Sequence, residues 1–393
     1  MKLLGSSIAI LILTLAPSVR LMLPEANTLL LFGVLPMMMA YYLFKNRFRL
    51  ENKSLVYYVI LMIWLAITTL TSTDVSNSIK EMQAIVGGLI GSIPIYFICQ
   101  SRKGGVNWIM LGYILLLAST IYYLQSNDMF ITLDIEKERL EDDMVNANDL
   151  AYFAFYTTIA WCVICHNLRL KWYLSLPVNI VILATILTLS IITASRQILL
   201  FVLPFLGYSI YFQYLQKSSR IVKLLSIAII AVAVYYVTNI YTNKFYEGSF
   251  LEKRMEANIE EDSRSALLKD AFVTGCRHPV FGVGPGNMIF FSNDGHFAHN
   301  SFLELFATSG LFGTILFVLM VWSFFRTQMR RYRATQNKMF QYLAITALFW
   351  ALYNNLYVFY SGIWLISFFF LLCGYSDMLY KSEQQKLGTT IMR

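Results

Sequence analysis

The sequence predicts an all-α, polytopic integral membrane protein with about twelve transmembrane helices and one large loop on the outer side of the membrane. Of its 393 residues, 57% are hydrophobic and only 14% are charged, a composition that excludes an ordinary soluble domain. Apolar runs of about 20 residues, long enough to cross the hydrocarbon core of a bilayer, recur from end to end. Basic residues concentrate in every second connecting segment, as the positive-inside rule requires.

The twelve apolar runs are separated by polar segments that are mostly short, so successive spans are expected to be neighbours. The first run also resembles a signal peptide, because Lys2 precedes a short apolar stretch with small residues near its end. A retained helix is favoured, because residues 20–25 look like an outer loop. The predicted spans lie near residues 3–20, 27–44, 55–71, 81–99, 106–124, 149–167, 172–192, 196–215, 221–240, 300–325, 340–358 and 361–379.

The charges of the connecting segments predict the orientation. With both termini in the cytoplasm, the inner segments hold 20 of the 31 Lys and Arg residues but only three of the 23 Asp and Glu residues. The inner side then carries +17 and the outer side −9, which together give the net charge of +8. The basic balance therefore indicates membrane topology and contact with anionic lipid headgroups, and it does not indicate a nucleic-acid partner.

The predicted chain has three parts. Residues 1–240 hold transmembrane helices 1–9, residues 241–299 form the large outer loop with short helices, and residues 300–393 hold helices 10–12. The loop is far longer than a helix connection needs, and such loops are usually functional or disordered. Disorder is not expected, because the loop carries many large apolar residues, among them Leu267 and Phe272.

A helix is predicted inside the large loop. Asp262 or Ser263 is placed to cap it, and the following residues repeat with helical spacing. The face that this spacing directs toward the other helices holds Arg264, Leu267, Leu268 and Ala271.

A glycine-rich segment, FGVGPGN, follows this helix, with Gly282, Gly284 and Gly286 at alternate positions. Glycines let backbone N–H groups approach an anion closely, but the spacing fits neither the P-loop nor the dinucleotide fingerprint. A simple turn is therefore the competing interpretation. Asn300 or Ser301 is placed to cap the next span, which puts His299 just ahead of a helix N-terminus.

Arg196 lies in a tight turn between two apolar runs, on the predicted outer side where arginine is scarce. One interpretation is a snorkelling side chain that contacts lipid headgroups. The other is a cation held at the protein surface to bind an anionic lipid or its phosphates.

A metal site on the outer side is not expected. His278, His296 and His299, with Asp294 and Glu304, carry suitable ligand atoms. However, an H-x-x-H pair in a loop without a third ligand at a fixed spacing is common by chance.

Several ordered motifs resemble the O-antigen ligase and O-antigen polymerase family of bacterial envelope glycan transferases. They are ASRQ after the seventh span, DSRSALLKDAF and HPVFGVGPGN in the large loop, and HNSFLELFATSGLFG entering the tenth span. The acidic RLEDDMVNANDLAYF before the sixth span is similar as well. One departure is Leu268, where family members often carry Trp. The order of these motifs extends the resemblance over essentially the whole chain.

The resemblance implies a GT-C-like enzyme that takes a glycan from undecaprenyl pyrophosphate at the periplasmic face of the bacterial inner membrane. His299 is the expected general base, since a helix N-terminus disfavours the charged imidazolium and a base must be neutral. Arg196 and Arg264 are expected to neutralise the pyrophosphate, with no metal, cofactor or nucleotide. The other expected substrate-binding residues are Arg277, Arg139, Gly284, Gly286, Asn300 and Glu304.

Three readings of the activity remain open at this point. A ligase would move a finished glycan to lipid A core, and a polymerase would lengthen the glycan on its own carrier. Outside the family, the main alternative is a transporter or flippase of a lipid-linked oligosaccharide, which should show repeated halves and buried charges near the bilayer midplane.

Overall fold

The computed structural model describes residues 2–129, 140, 147–216, 218–219, 221, 248–249, 252, 263–355, 358, 360 and 362–391. All regular elements in these ranges are helical, including short π-helical segments at Leu30–Val34, Ile198–Val202 and Tyr211–Leu215 and a 3₁₀ turn at Asn287–Phe290. The α-helices are α1 Lys2–Met22, α2 Pro24–Leu29, α3 Leu35–Lys45, α4 Lys53–Leu70, α5 Val75–Ser101, α6 Lys103–Ser126, α7 Ala147–Leu168, α8 Trp172–Ile192, α9 Leu203–Ile210, α10 Ser263–Arg277, α11 Ser301–Thr335, α12 Lys338–Tyr353 and α13 Ile363–Ile391.

Polar side chains set the start of several helices, because each satisfies a backbone N–H that has no partner inside the helix. Asn52 accepts a hydrogen bond from the N–H of Ser54 at the start of α4 (3.1 Å). Asp74 and Asn337 cap α5 and α12 in the same way.

Eight helical segments within the described part of the chain are long and apolar enough to cross a membrane. Four of the twelve predicted spans are not among them, and they stay predictions. The apolar part of α1 covers only Ser7–Val19, α12 has 16 residues or about 24 Å, and most of 221–240 lies outside the described residues. The fourth, α7, is lined by buried polar and aromatic residues such as Tyr152 and Tyr156. The eight segments are Glu25–Lys45, Lys53–Leu70, Val75–Ser101, Lys103–Ser126, Trp172–Ile192, Ile198–Leu215, Ser301–Thr335 and Ile363–Lys386.

The chain forms two compact units that interleave along the sequence. Unit 1 comprises residues 1–13, 25–109 and 259–393, and unit 2 comprises residues 14–24 and 110–258. The three parts predicted from the sequence were defined by transmembrane topology, whereas these two units are defined by packing. The three-part division stays a prediction.

In unit 1, α5 and α13 pack closely because small residues line their interface. A Cβ atom on Gly374 would overlap the backbone oxygen of Tyr96. The hydroxyls of Ser92 and Ser367 are 2.9 Å apart in the same interface. Small residues that let backbones approach are typical of helix pairs in membranes.

In unit 2, α7, α8 and α9 pack through aromatic and amide contacts. The rings of Phe155 and Phe205 meet edge to face at 4.8 Å. Asn179 of α8 donates hydrogen bonds to Gln213 (3.0 Å) and Tyr214 (2.7 Å), which satisfies polar groups inside an apolar bundle.

Candidate active site

The N-terminus of α11 is capped as predicted. The side-chain oxygen of Asn300 accepts hydrogen bonds from the N–H groups of Phe302 (2.9 Å) and Leu303 (3.0 Å). Asn300 itself has an extended backbone conformation, which is usual for a capping residue. The predicted cap is therefore confirmed. The side-chain amide of Asn300 also donates a hydrogen bond to Asn355 at 3.4 Å.

His299 lies directly before this cap, and its backbone is left-handed, with φ of 50°. Few residues other than glycine adopt this conformation, and those that do are often at functional positions. The side chain is half-buried, and its ring centroid is 4.2 Å from that of Phe297.

Glu304 lies in the first turns of α11, and only 4% of its surface is exposed. Its carboxylate accepts a hydrogen bond from the N–H of Ala298 at 2.7 Å. Ala298 and Asn300 are the two neighbours of His299. The hydrogen bond from Ala298 to Glu304 therefore restrains the backbone on one side of His299.

Tyr360, which follows α12, is close to the same carboxyl group. Burial, followed by the nearby carboxylates of Glu304 and Glu81, raises the pKa of Tyr360 well above its usual range. The phenol of Tyr360 therefore stays neutral beside these two acidic groups.

Helix α11 is interrupted at Gly310, where φ is 69° and ψ is −171°. A side chain at this position would overlap the backbone oxygen of Val280. The break leaves backbone carbonyls of the preceding turn without their usual partners inside the helix. Buried carbonyls need other donors, because an unpaired one is costly.

The glycine-rich segment and Trp64 supply those donors. The N–H groups of Val283 and Gly284 bond to the carbonyls of Ala307 and Thr308, each at 2.9 Å. The indole N–H of Trp64 donates to the carbonyl of Ser309 at 2.8 Å. The segment is thus docked along the broken helix.

This docking bears on the prediction that backbone N–H groups of the glycine-rich segment bind an anionic substrate. The N–H of Gly284 is bonded to a helix carbonyl, so this amide does not point at an anion. Gly286 has a φ of 74° and packs against Glu81. Both glycines have a packing role, and their contact with substrate stays a prediction.

The other side of the glycine-rich segment rests on the start of α5 through polar residues that the sequence analysis missed. Asn287, fully buried, donates to the carbonyl of Val283 at 2.9 Å and to the hydroxyl of Ser78 at 3.2 Å. Asn77 donates to the carbonyl of Gly286 at 2.8 Å. No motif signalled the contacts with α5, because Asn77 and Ser78 are 209 residues away from their partners Gly286 and Asn287.

Helix α10 packs on the first part of α11 and carries Arg264. The predicted face is confirmed for Leu267 and Ala271, which are 3% and 0% exposed. Ala271 forms one cluster with Ala298 and Ala307. Arg264 lies seven residues before Ala271, about 10 Å along the helix, and its side chain is half-buried.

The other predicted basic residues lie elsewhere. Arg277 is exposed in the last turn of α10. Arg196 is half-buried in the turn after α8, as predicted, but it belongs to unit 2, whereas His299 and Arg264 belong to unit 1. Arg139 lies outside the described residues.

The histidines considered for a metal site are spread along the loop. His278 and His296 are exposed, and His278 lies against the ring of Phe291. Within the described ranges, no group of three or more His, Cys, Asp or Glu side chains is arranged to hold a metal ion.

A search of curated proteins gave no match to the chain. A family comparison did, over residues 180–318, a segment that includes Arg196, Arg264, the glycine-rich segment and His299. The family model is described as O-antigen ligase, and this match confirms the predicted resemblance to the O-antigen ligase and polymerase family.

Proposed function

We propose that this protein is a membrane glycosyltransferase that moves a glycan from undecaprenyl pyrophosphate to a sugar hydroxyl at the periplasmic face. It acts as an O-antigen ligase or as an O-antigen or exopolysaccharide polymerase, in the bacterial inner membrane with both termini in the cytoplasm. The observation that carries the proposal is the position of His299, directly before the capped N-terminus of α11 and inside the segment matched by the O-antigen ligase family model.

His299 is the proposed general base. It removes the proton from the acceptor hydroxyl while that oxygen attacks the anomeric carbon of the donor glycan. The bond between the anomeric carbon and the pyrophosphate oxygen breaks, and undecaprenyl pyrophosphate leaves with the electron pair. Direct displacement of this kind inverts the anomeric centre. The neutral imidazole that a base requires is favoured by the positive end of the α11 dipole.

Arg264 and Arg196 are proposed to bind the pyrophosphate and to offset the charge that develops as it leaves. Guanidinium groups bind phosphate oxygens in a bidentate manner and remain charged at all physiological pH values. Support for Arg264 comes from its half-buried position on the helix that packs against α11. Such cations make a divalent metal unnecessary, so we expect transfer to be metal-independent.

One feature favours the alternative interpretation as a transporter. Helix α11 is interrupted at Gly310, and broken helices are common in transporters. In transporters the freed carbonyls usually line a cavity and bind ions. Here the carbonyls of Ala307, Thr308 and Ser309 accept hydrogen bonds from the glycine-rich segment and Trp64. In this protein the interruption of α11 therefore accommodates the docked glycine-rich segment. Glycan transfer is for this reason better supported than transport.

Glycan transfer by the purified protein in detergent tests the proposal. Wild type, His299→Ala and the control His296→Ala, an exposed histidine three residues away, are given undecaprenyl-pyrophosphate glycan and acceptor, with and without EDTA. We expect EDTA to have no effect and His299→Ala to lower the rate about 10²- to 10⁴-fold. A folded His299→Ala variant that matches wild type would overturn the assignment of the base.

Gene deletion separates the two activities. Loss of a ligase leaves long lipid-linked glycans, whereas loss of a polymerase leaves single repeats. The chain length of the lipid-linked pool in a deletion strain is therefore the second measurement.

A further inference from the structure

The conformation of His299 has to be held in place by its surroundings. A left-handed backbone is unfavourable for residues with a Cβ atom, so the segment 298–300 would relax toward other conformations if its neighbours were unrestrained. Any such change would rotate the imidazole away from its present direction, because the side chain follows the backbone at Cα.

Two side chains restrain the neighbours of His299. On one side, Asn300 is fixed by its capping bonds to Phe302 and Leu303. On the other side, the N–H of Ala298 donates to the buried carboxylate of Glu304 at 2.7 Å. Ala298 is fully buried, in the cluster with Ala271 and Ala307. The chain thus leaves the core at Ala298, turns at His299 and enters α11 at Asn300.

We propose that Glu304 is a positioning residue for His299 and that it acts through the backbone N–H of Ala298. This inference rests on the proposed function, because it concerns the direction of the catalytic imidazole. What Glu304 must supply is a hydrogen-bond acceptor at the right distance. A misplacement of about 1 Å at a reacting group can lower a rate by about 100-fold.

Three variants test the role of this acceptor. Glu304→Gln keeps the length of the side chain and one carbonyl oxygen, Glu304→Leu removes the acceptor, and Ser309→Ala serves as a matched control. Ser309 is also fully buried in α11, and its hydroxyl bonds only within its own helix, to the carbonyl of Leu305 at 2.7 Å. Gel filtration and thermal unfolding in detergent identify variants that are folded.

We expect Glu304→Leu to lower kcat about 10- to 100-fold, with little change in KM for donor or acceptor, and Glu304→Gln to remain within about threefold of wild type. Ser309→Ala should also retain the wild-type rate. In a His299→Ala background, Glu304→Leu should add less than about a threefold loss, because the residue it positions is already absent.

Some outcomes would overturn the inference. They are a folded Glu304→Leu variant with the wild-type rate, a Glu304→Gln variant as slow as Glu304→Leu, or a full additional loss in the His299→Ala background. The proposed function is tested separately by His299→Ala alone. If that variant is inactive while Glu304→Leu is active, only the positioning role is wrong. If His299→Ala is active, the proposed base is wrong.

Discussion

The two ends of α11 are held by different kinds of interaction. At the N-terminal end, the helix is broken at Gly310, and its carbonyls bond to backbone N–H groups of Val283 and Gly284. At the C-terminal end, the helix is continuous, and side chains make the contacts. Arg331 forms an ion pair with Asp377 of α13 at 2.6 Å.

The C-terminal network is extensive. Asp377, 3% exposed, also accepts hydrogen bonds from Asn52 (3.2 Å) and Tyr96 (2.9 Å). Arg331 donates to Ser376 at 2.6 Å and lies over the ring of Tyr380. Buried charges need such partners, because an unpaired charge inside the protein is strongly unfavourable.

The difference shows which types of residue each end of α11 requires. The N-terminal end needs residues that allow the backbone to approach and turn, because its docking bonds join main-chain groups. The C-terminal end needs complementary polar groups, and it tolerates ordinary helical backbone. Substitutions chosen for one kind of interaction should therefore have little effect at the other end.

The largest effect is expected for Gly310→Ala. A Cβ atom would overlap the carbonyl of Val280, and alanine is strained at φ of 69°. We expect the free energy of unfolding in detergent to fall by about 3 to 4 kcal/mol, together with loss of transfer. The control is Gly207→Ala in α9, where a Cβ atom meets nothing within 4 Å and should stabilise by about 0.5 to 1 kcal/mol. Equal stability of the two variants would show that the break does not depend on glycine.

The next effect concerns charge at the other end of α11. Asp377→Ala leaves Arg331 unpaired, with only 15% of its side chain exposed, and should destabilise by about 3 kcal/mol. Transfer per folded molecule should be unchanged. Thermal unfolding and activity are measured on the same preparations. Lys381→Ala is the control, because its ion pair with Glu51 is half exposed and worth less than about 1 kcal/mol. A fall in specific activity with intact folding would contradict the separation of the two ends.

The smallest effect is expected for Trp64→Phe, which removes one side-chain donor from the broken turn. The carbonyl of Ser309 then loses the indole N–H at 2.8 Å, which should cost about 1 to 2 kcal/mol in unfolding free energy. Trp108→Phe is the control, since Trp108 is 56% exposed. If both variants unfold at the same temperature, the docking of the loop does not depend on this bond.

Local patterns in the sequence were sufficient for part of the site. Capping chemistry identified Asn300, and helical spacing identified the buried face of α10 with Leu267 and Ala271, because both depend on residues a few positions apart. The ordered motifs also predicted the resemblance to the O-antigen ligase family, which the family match over residues 180–318 supports.

Contacts between residues that are far apart in the chain could not be predicted from the sequence. The run 300–325 was predicted as one continuous span, because isolated glycines such as Gly310 and Gly313 in an apolar segment are compatible with an unbroken helix. The break at Gly310 becomes evident only when Val280 is placed against it. Likewise, the spacing of α11 gives its faces, but it does not reveal that Arg331 pairs with Asp377, which is 46 residues away.

The docking of the glycine-rich segment on α11 has a consequence for the substitutions that this region tolerates. Its bonds to Ala307 and Thr308 join main-chain atoms, so they survive when most surrounding side chains are exchanged. The side chain of Phe290, which follows the segment and is 56% exposed, takes no part in these bonds. A substitution at such an exposed position should therefore leave the backbone that leads to His299 unchanged.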